Sequence, residues 1–402
     1  MEDETAAHPH RWAMLAGVWM VYFCFGSTAA AIAPLVARIT TELRLSHTQM
    51  GSILGAWQFV YIAAAIPCGA LLDRIGPRRG LALGALVVAI SGILRGTATN
   101  YVTMLLAVGA FGIGGPLVSV GAPTIIRDWF QGRERGLAMG IYNMGQSLGT
   151  IGALSLTSSV GLSLAGGDWR LVLIGYGVLA LAAALGWTLI SSHEASRAQE
   201  RLRHAARREN EAGVYRELLR APAMRTVLYL AVGTFFFGHA LNNWLPEILR
   251  FGGMDPARAG LWASIPVVIG IFGALIFPRL AIPERRMKIL AALFLAQLLA
   301  PLCIEWSGDA LILGLVLQGL ARGTLSVVVV LVMMELREVD GGRMGAAAGM
   351  YFTAGEIGGV LGPLTIGTLY DATGGFAAAL YFLAALCAWQ LLLLGRLRAA
   401  LR

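Results

Sequence analysis

Residues 69–79, Gly69-Ala-Leu-Leu-Asp73-Arg74-Ile-Gly76-Pro77-Arg78-Arg79, interrupt a long apolar part of the chain. Apolar segments lie on both sides, at 48–71 and 80–96, and each is close to the length that an α-helix needs to cross the hydrocarbon of a bilayer. The Gly-Pro pair favours a tight turn, and the arginines favour water and anionic lipid head groups. The stretch therefore predicts two membrane-crossing helices joined by a turn at a membrane surface.

The composition of the whole chain agrees with a membrane protein. Of its 402 residues, 57% are hydrophobic and 13% are charged, and the mean hydropathy is +0.69. An average soluble domain has roughly 25% charged residues, so this chain could not cover a soluble surface. The net charge of +8 arises from basic residues between apolar segments, where it indicates membrane topology. We therefore expect a membrane-lipid environment and no nucleic-acid partner.

Apolar segments recur along the whole chain. The lipid phase offers no hydrogen-bond partners, so each segment is predicted to be a helix. Twelve spans are predicted, at 12–36, 48–71, 80–96, 101–126, 136–160, 169–190, 223–249, 259–278, 288–305, 310–334, 344–370 and 376–395. The predicted fold class is an all-α, polytopic membrane protein.

Basic residues are distributed unequally between the two sides of this arrangement. Of the 31 Lys and Arg residues, 24 lie in the termini and loops that share a side with the N-terminus, and six lie on the other side. Cytoplasmic loops are the ones enriched in Lys and Arg. We therefore expect both termini in the cytoplasm and the protein in the inner cell membrane.

The longest gap between spans divides them into six and six. The prediction is an N-terminal bundle at 1–190, a cytoplasmic linker at 191–222 and a C-terminal bundle at 223–402. The linker is rich in Arg, Glu and Ala and favours a solvated surface helix, with a partner-binding site as the alternative.

The fifth and eleventh spans share a glycine pattern. Gly136, Gly140 and Tyr142 recur at an offset of 209 as Gly345, Gly349 and Tyr351. Gly145, Gly149 and Gly152 recur at an offset of 210 as Gly355, Gly359 and Gly362. Small residues let helices pack closely, and duplicated halves are typical of transporters. The second offset places Gln146 at the repeat position of Glu356.

The 69–79 loop resembles the GxxxDRxGxR motif of the major facilitator superfamily, and the twelve spans extend the resemblance over the whole chain. It implies two pseudo-symmetric six-helix bundles around one central site, with alternating access. The sequence is most similar to cyanate-permease-like and organic-anion members. The resemblance implies a cytoplasmic gate that comprises Gly69, Asp73, Arg74, Gly76, Arg78, Arg79 and Arg127.

Within that gate, Asp73 can pair with Arg127 or lie at the N-terminus of the eleventh span, near Arg343. The family uses this contact to latch the cytoplasmic side. The alternative is that these charges only set topology.

Ionisable residues at bilayer depth are costly, so each is a candidate for function. Arg322 lies near the middle of the tenth span, with Gln318 and Ser326 one turn away on the same face. Its guanidinium suits a carboxylate or similar small anion. Glu356 lies at similar depth in the eleventh span, as a candidate for proton coupling, and the two can also form a structural ion pair.

Further polar candidates lie in other spans. In the seventh span, His239 can titrate or simply pack, and one of Asn242 and Asn243 is expected to face the cavity. The N-terminal half offers uncharged candidates for substrate binding, namely Tyr22, Gln58, Tyr61, Asn143, Gln146 and Thr150. Arg95 is set aside because its long side chain can reach the membrane surface.

These residues predict a secondary transporter of a small anion, coupled to protons and acting as a monomer. The alternatives are a proton-coupled exporter of lipophilic compounds and a non-transporting sensor or scaffold. The chain has no Walker-type loop and no GxSxG or HExxH motif, so we expect no enzymatic activity, cofactor or metal. The four cysteines lie in apolar segments without a CxxC pair, which disfavours a disulfide framework.

Overall fold

The computed structural model describes residues 9–196, 214–306, 308–339 and 343–400, and these ranges contain helices and no strands. The chain forms two compact units. Unit 1 comprises Met1–Leu45 and Ala56–Glu209, and unit 2 comprises Ser46–Gly55 and Asn210–Arg402. Of the predicted linker, residues 197–213 lie outside the described ranges, so its boundaries and its surface helix stay predictions.

The first unit contains the first six spans, except for Ser46–Gly55 at the start of the second span. They are α1 (His10–Ala30), the continuous run His47–Gly96, α4 (Tyr101–Trp129), α5 (Gly132–Leu156) and α6 (Trp169–Ser191). The run His47–Gly96 contains α2 before Gly76 and α3 after it. Short helical segments, Ala33–Leu35 with Val36–Glu42 and Thr157–Gly161 with Leu162–Leu164, extend α1 and α5.

The second unit contains the other six spans. They are α7 (Pro222–Phe251), α8 (Pro256–Leu280), α9 (Pro283–Trp306), α10 (Asp309–Met333), α11 (Met344–Thr373) and α12 (Ala377–Ala400). A short helix, Val214–Arg220, precedes α7, and the turn Arg337–Val339 precedes α11. The first residues of α2, Ser46–Gly55, also pack in this unit.

Gly76 makes the predicted turn between α2 and α3. Its backbone has φ 81° and ψ 159°, a conformation that side chains other than glycine rarely adopt. The following turn is fixed to the end of α6, because the Trp187 indole donates to the Arg78 carbonyl at 3.0 Å. The Arg78 guanidinium in turn donates to the carbonyl oxygen of Ser191 at 3.2 Å. The turn is therefore tied to the rest of its unit by hydrogen bonds.

The lengths of the helices fit a multi-pass membrane protein. In the described ranges, ten helical runs are long and apolar enough to cross a membrane. One of them, the 50-residue run His47–Gly96, holds two spans. The 30-residue α11 has the length of a span but a sequence rich in glycine. Together these are the twelve spans of the predicted all-α fold.

The two units repeat one packing arrangement. A Cβ atom on Gly149 of α5 would overlap the carbonyl oxygen of Phe23 in α1, and a Cβ atom on Gly358 of α11 would overlap that of Val232 in α7. Both members of the second pair follow the first by 209 residues, so the predicted slip to 210 is wrong here. At this offset Ser147, and not Gln146, corresponds to Glu356.

Candidate functional site

Polar side chains from α7 and α10 meet inside unit 2. The Arg322 guanidinium of α10 donates from Nη2 to Oδ1 of Asn242 in α7, at 3.2 Å. Both side chains are partly buried. Gln318, one turn before Arg322, is fully buried, and its carbonyl oxygen has no hydrogen-bond partner among the described residues. The structure thus brings together two of the predicted binding residues, Arg322 and Asn242.

Glu356 of α11 contributes a second charged group. Only 8% of this residue is exposed, and its Oε2 lies 3.9 Å from Nε2 of His239 in α7. The proposed direct pair of Glu356 with Arg322 is not formed. Across the described ranges, the ion-pair contact of Glu356 within 4 Å is with His239. Helix α7 explains this pairing. It places His239 against the Glu356 carboxylate and Asn242, almost one turn later, against the Arg322 guanidinium.

The two neighbouring asparagines of α7 differ in role. The side-chain amide of Asn243 donates to the carbonyl oxygen of His239 at 2.8 Å, so its donor is satisfied within its own helix. Asn242 instead faces Arg322. Helix α7 therefore carries two contact residues, Asn242 against Arg322 and His239 against Glu356. We call these four residues, His239, Asn242, Arg322 and Glu356, the polar cluster.

The predicted binding residues of unit 1 make uncharged contacts. Tyr22 is buried edge-to-face against Tyr142, with ring centroids 4.8 Å apart. The Tyr61 hydroxyl lies 2.8 Å from Oγ of Ser119. Gln58 is fully buried, whereas Gln146 is exposed. Unit 1 thus offers hydroxyl and amide groups at these positions.

Arg95 of α3 is buried, contrary to the prediction that its side chain reaches the membrane surface. Its side chain does not reach the surface: the residue is 1% exposed, donates from Nη1 to the Thr28 carbonyl at 2.5 Å and lies over the Phe111 ring at 5.2 Å. Gly92 and Gly96 flank it and let α6 approach the backbone of α3, which closes the route to the surface. In the sequence, the Gly92-xxx-Gly96 spacing around a charged residue indicates close helix packing, and it could have predicted that Arg95 is buried.

A set of residues that the sequence did not predict joins the start of α2 to the end of α11, both in unit 2. The Asp371 carboxylate accepts from the backbone N–H groups of His47 at 3.0 Å and Thr48 at 2.7 Å, and from the Thr48 hydroxyl at 2.6 Å. The His47 ring stacks on Tyr370 with centroids 3.6 Å apart. The first N–H groups of a helix need such acceptors. We call this group the α2 cap.

The predicted gate residues around the α2–α3 turn are mostly exposed. Asp73, Arg74 and Arg79 face solvent, and Gly69 has open space around it. Nε of Arg127 lies 3.5 Å from Oδ1 of its neighbour Asp128. Among the described residues no ion pair joins Asp73 to Arg127, so the latch stays a prediction. In unit 2, Arg343 pairs with Glu217 at 2.8 Å.

The family model described as Major Facilitator Superfamily matches residues 18–304, more than half of the chain. The chain belongs to the Major Facilitator Superfamily. The resemblance of the 69–79 loop and the twelve-span fold are thereby confirmed. This superfamily member is a multi-pass membrane transporter and not an enzyme.

Curated relatives include transporters named for organic acids. A probable L-galactonate transporter of Escherichia coli (strain K12) is 29% identical over 248 residues, which cover 59% of this chain and 54% of the relative. A probable sulfoacetate transporter of Cupriavidus necator is 24% identical and covers 90% of this chain and 88% of the relative. A quinolone resistance transporter of Acinetobacter baumannii is 27% identical and covers 91% of both.

Solved structures support the same fold. A bacterial homologue of the human lysosomal transporter Spinster superposes with a TM-score of 0.75 at 18% identity, over 98% of this chain and 97% of that one. The nucleoside transporter NupG superposes with a TM-score of 0.76 at 13% identity, over 97% and 100%. At these identities the likeness concerns the fold alone.

Proposed function

We propose that this superfamily member is a secondary transporter that moves a small organic anion by alternating access, coupled to protons. The observation that carries the proposal is the partly buried Arg322 guanidinium in contact with the neutral Asn242. An amide leaves the positive charge of the guanidinium uncompensated. A carboxylate can then bind it as an ion pair.

The position of Arg322 supports this role. The residue follows Asp309, the first residue of α10, by roughly 20 Å along the helix axis, near the middle of a 25-residue helix. A charged side chain at that depth costs at least ~2.5 kcal/mol on insertion scales, and such residues mark substrate or ion pathways. The planar guanidinium can donate two parallel hydrogen bonds to one carboxylate. The energetic cost is offset when an anion is bound.

The contact between Glu356 and His239 supports proton coupling. Oε2 of Glu356 has no hydrogen-bond partner among the described residues and lies 3.9 Å from the imidazole. A carboxylate and an imidazole at this distance can share or exchange a proton after small movements. The substrate residue Arg322 and the proton site are connected through α7, which contacts Arg322 by Asn242 and Glu356 by His239. A shift of α7 when substrate binds would change the contact of Glu356 with His239 and thereby its affinity for a proton.

Relatives named for L-galactonate and sulfoacetate transport support the anionic substrate. Both names describe small organic acids, whose carboxylate or sulfonate groups suit a guanidinium. We extend this to a small anionic cargo for the present chain. We also propose the inner cell membrane, cytoplasmic termini, bound membrane lipid and a monomeric carrier, in line with the basic residues on one side of the spans.

Uptake into proteoliposomes tests the anion proposal. Wild type, Arg322→Gln and the exposed control Arg258→Gln are assayed with labelled sugar acids, small carboxylates and a lipophilic cation. We expect anion uptake by wild type and the control, and at least a roughly tenfold lower rate in Arg322→Gln, because a charged hydrogen bond contributes about 1.5–3 kcal/mol. Movement of the cation with no uptake of any anion would contradict the proposal.

Glu356→Gln tests the coupling step, with the exposed Glu284→Gln as its matched control. We expect Glu356→Gln to lose uptake driven by a pH gradient and to retain exchange of labelled for unlabelled anion, because only the net cycle needs the proton. The control should behave as wild type. An unchanged dependence of uptake on pH in Glu356→Gln would remove this residue from coupling.

The relative named for quinolone resistance favours a second candidate, proton-coupled export of a lipophilic compound. Against it, the fifth span of drug exporters ends its glycine motif in Gly-Pro. In this chain the glycine motif of the fifth span has no such proline. The proline ends the corresponding motif of the eleventh span, as Pro363. Efflux of a fluorescent lipophilic cation from cells that express the chain would favour this candidate.

A further inference from the structure

An aromatic surface lies beside the polar cluster. Phe235 precedes His239 by one helical turn on α7, and Phe352 precedes Glu356 by one turn on α11. The Phe235 ring centroid is 6.0 Å from that of His239 and 6.1 Å from that of Phe352. The two phenylalanines therefore continue the surface that His239 and Glu356 begin.

The absence of a side chain at Gly355 makes room for the Phe235 ring. A Cβ atom at residue 355 would lie 2.8 Å from the ring, so the glycine lets the ring lie directly against the backbone of α11. The buried Tyr351 supports both phenylalanines from behind, edge-to-face, with centroids 6.0 Å from Phe235 and 5.4 Å from Phe352. The aromatic surface is thus held in a defined orientation.

Phe352 keeps this surface open to a ligand. Nearly half of the residue, 48%, is exposed, although its ring packs edge-to-face on Phe235. A hydroxyl-rich ligand body would lose hydrogen bonds to water against these rings and would find no replacement there. An apolar or aromatic body would instead be removed from water and could stack. The surface therefore selects against polyhydroxylated bodies.

We propose that the polar cluster and this aromatic surface together bind an aromatic carboxylate, with its carboxylate on Arg322 and its ring on Phe235 and Phe352. Asn242, the partner of Arg322, follows Phe235 by seven residues on α7, which is roughly 10 Å along the helix axis. A one-ring or two-ring aromatic acid spans such a distance. The inference rests on the proposed function, since it needs an anion at Arg322.

Proteoliposome uptake of labelled benzoate, galactonate and acetate tests the inference. Wild type should transport benzoate with a KM well below that for galactonate. Phe352→Ala should raise the KM for benzoate by roughly 3- to 10-fold, the worth of an aromatic contact, and leave the KM for acetate unchanged. Phe272→Ala, which truncates an exposed phenylalanine of α8, is the matched control and should match wild type for all three anions.

The outcomes separate the two proposals. A KM for galactonate equal to or below that for benzoate overturns the aromatic preference and leaves anion transport intact. Equal changes of the KM for benzoate and acetate in Phe352→Ala also overturn it, because the residue would then act on the site as a whole. Absence of uptake for all three anions overturns the aromatic preference, and uptake of the wider panel of anions then decides the proposed function. The exposed position of Phe352 makes its truncation compatible with folding.

Discussion

The helix pairs α1–α5 and α7–α11 share a backbone arrangement but differ in their charged groups. Gly149 and Gly358 bring the second helix of each pair against the same point of the first, 209 residues apart. At that offset His239 corresponds to Ala30 and Glu356 to Ser147. Glycine positions thus set the packing in both units, while the ionisable groups of the proposed site occur in one. Substitutions can therefore change the helix packing or the ionisable groups of the proposed site separately.

Substitution of the packing glycines should have the largest effect. Gly358→Ala places a Cβ atom against the carbonyl oxygen of Val232, which backbone atoms cannot avoid without moving α7 from α11. We expect a loss of about 3 kcal/mol or more in stability, near the upper end for overpacking, or loss of folded protein. Thermal unfolding in detergent measures it.

Gly349→Ala is the control for this change, since no atom lies within 4 Å of a Cβ at that position. It should unfold at the wild-type temperature or slightly above it, because alanine favours a helix over glycine by about 1 kcal/mol. Equal melting temperatures for the two variants would show that the close approach of α7 and α11 does not need glycine.

Arg322 and Arg95 should respond differently to the same substitution. Arg322→Met should lower anion uptake at least tenfold, because it removes the proposed anion ligand. Arg95→Met should leave uptake near wild type and stability unchanged or higher, since an apolar side chain replaces a buried cation whose Nε and Nη2 have no partner among the described residues. Uptake and thermal unfolding of both variants check this.

A transport defect in Arg95→Met as large as that in Arg322→Met would break the contrast between the units. It would place a second functional cation in unit 1.

Of the three sets of substitutions, in the packing glycines, the arginines and the α2 cap, those in the α2 cap should have the smallest effect. Asp371→Ala removes the acceptor of three hydrogen bonds at the start of α2. We expect a loss of about 1–2 kcal/mol, the cost of an N-cap. Thr48→Val, which removes one donor and keeps the two backbone bonds, should cost less. Thermal unfolding that ranks the two variants in the reverse order would contradict the capping role.

Much of the fold follows from the sequence. Apolar segment lengths predict the twelve spans, and Gly76-Pro77 predicts the turn, because hydrocarbon thickness and backbone sterics act locally. The depth of Arg322 in α10 follows from the same segment boundaries. These are properties of one helix or one turn, which a single sequence contains in full.

Contacts between helices could not be predicted in the same way. The α2 cap joins Thr48 to Asp371 across more than 300 residues, and no local pattern pairs them. Glu356 contacts His239, whereas the sequence allowed a pair with Arg322, because the partner depends on how each helix is rotated. Arg95 is buried because neighbouring helices close over it, which its own segment does not reveal.

The most direct test is anion-dependent thermal stability of purified wild type and Arg322→Gln. A ligand at about 100 times its Kd stabilises the folded state by roughly 2.7 kcal/mol, so a transported carboxylate should raise the melting temperature of wild type. With the guanidinium gone, the same concentration should leave the variant unchanged. An equal rise in both proteins would place the anion elsewhere and contradict the account.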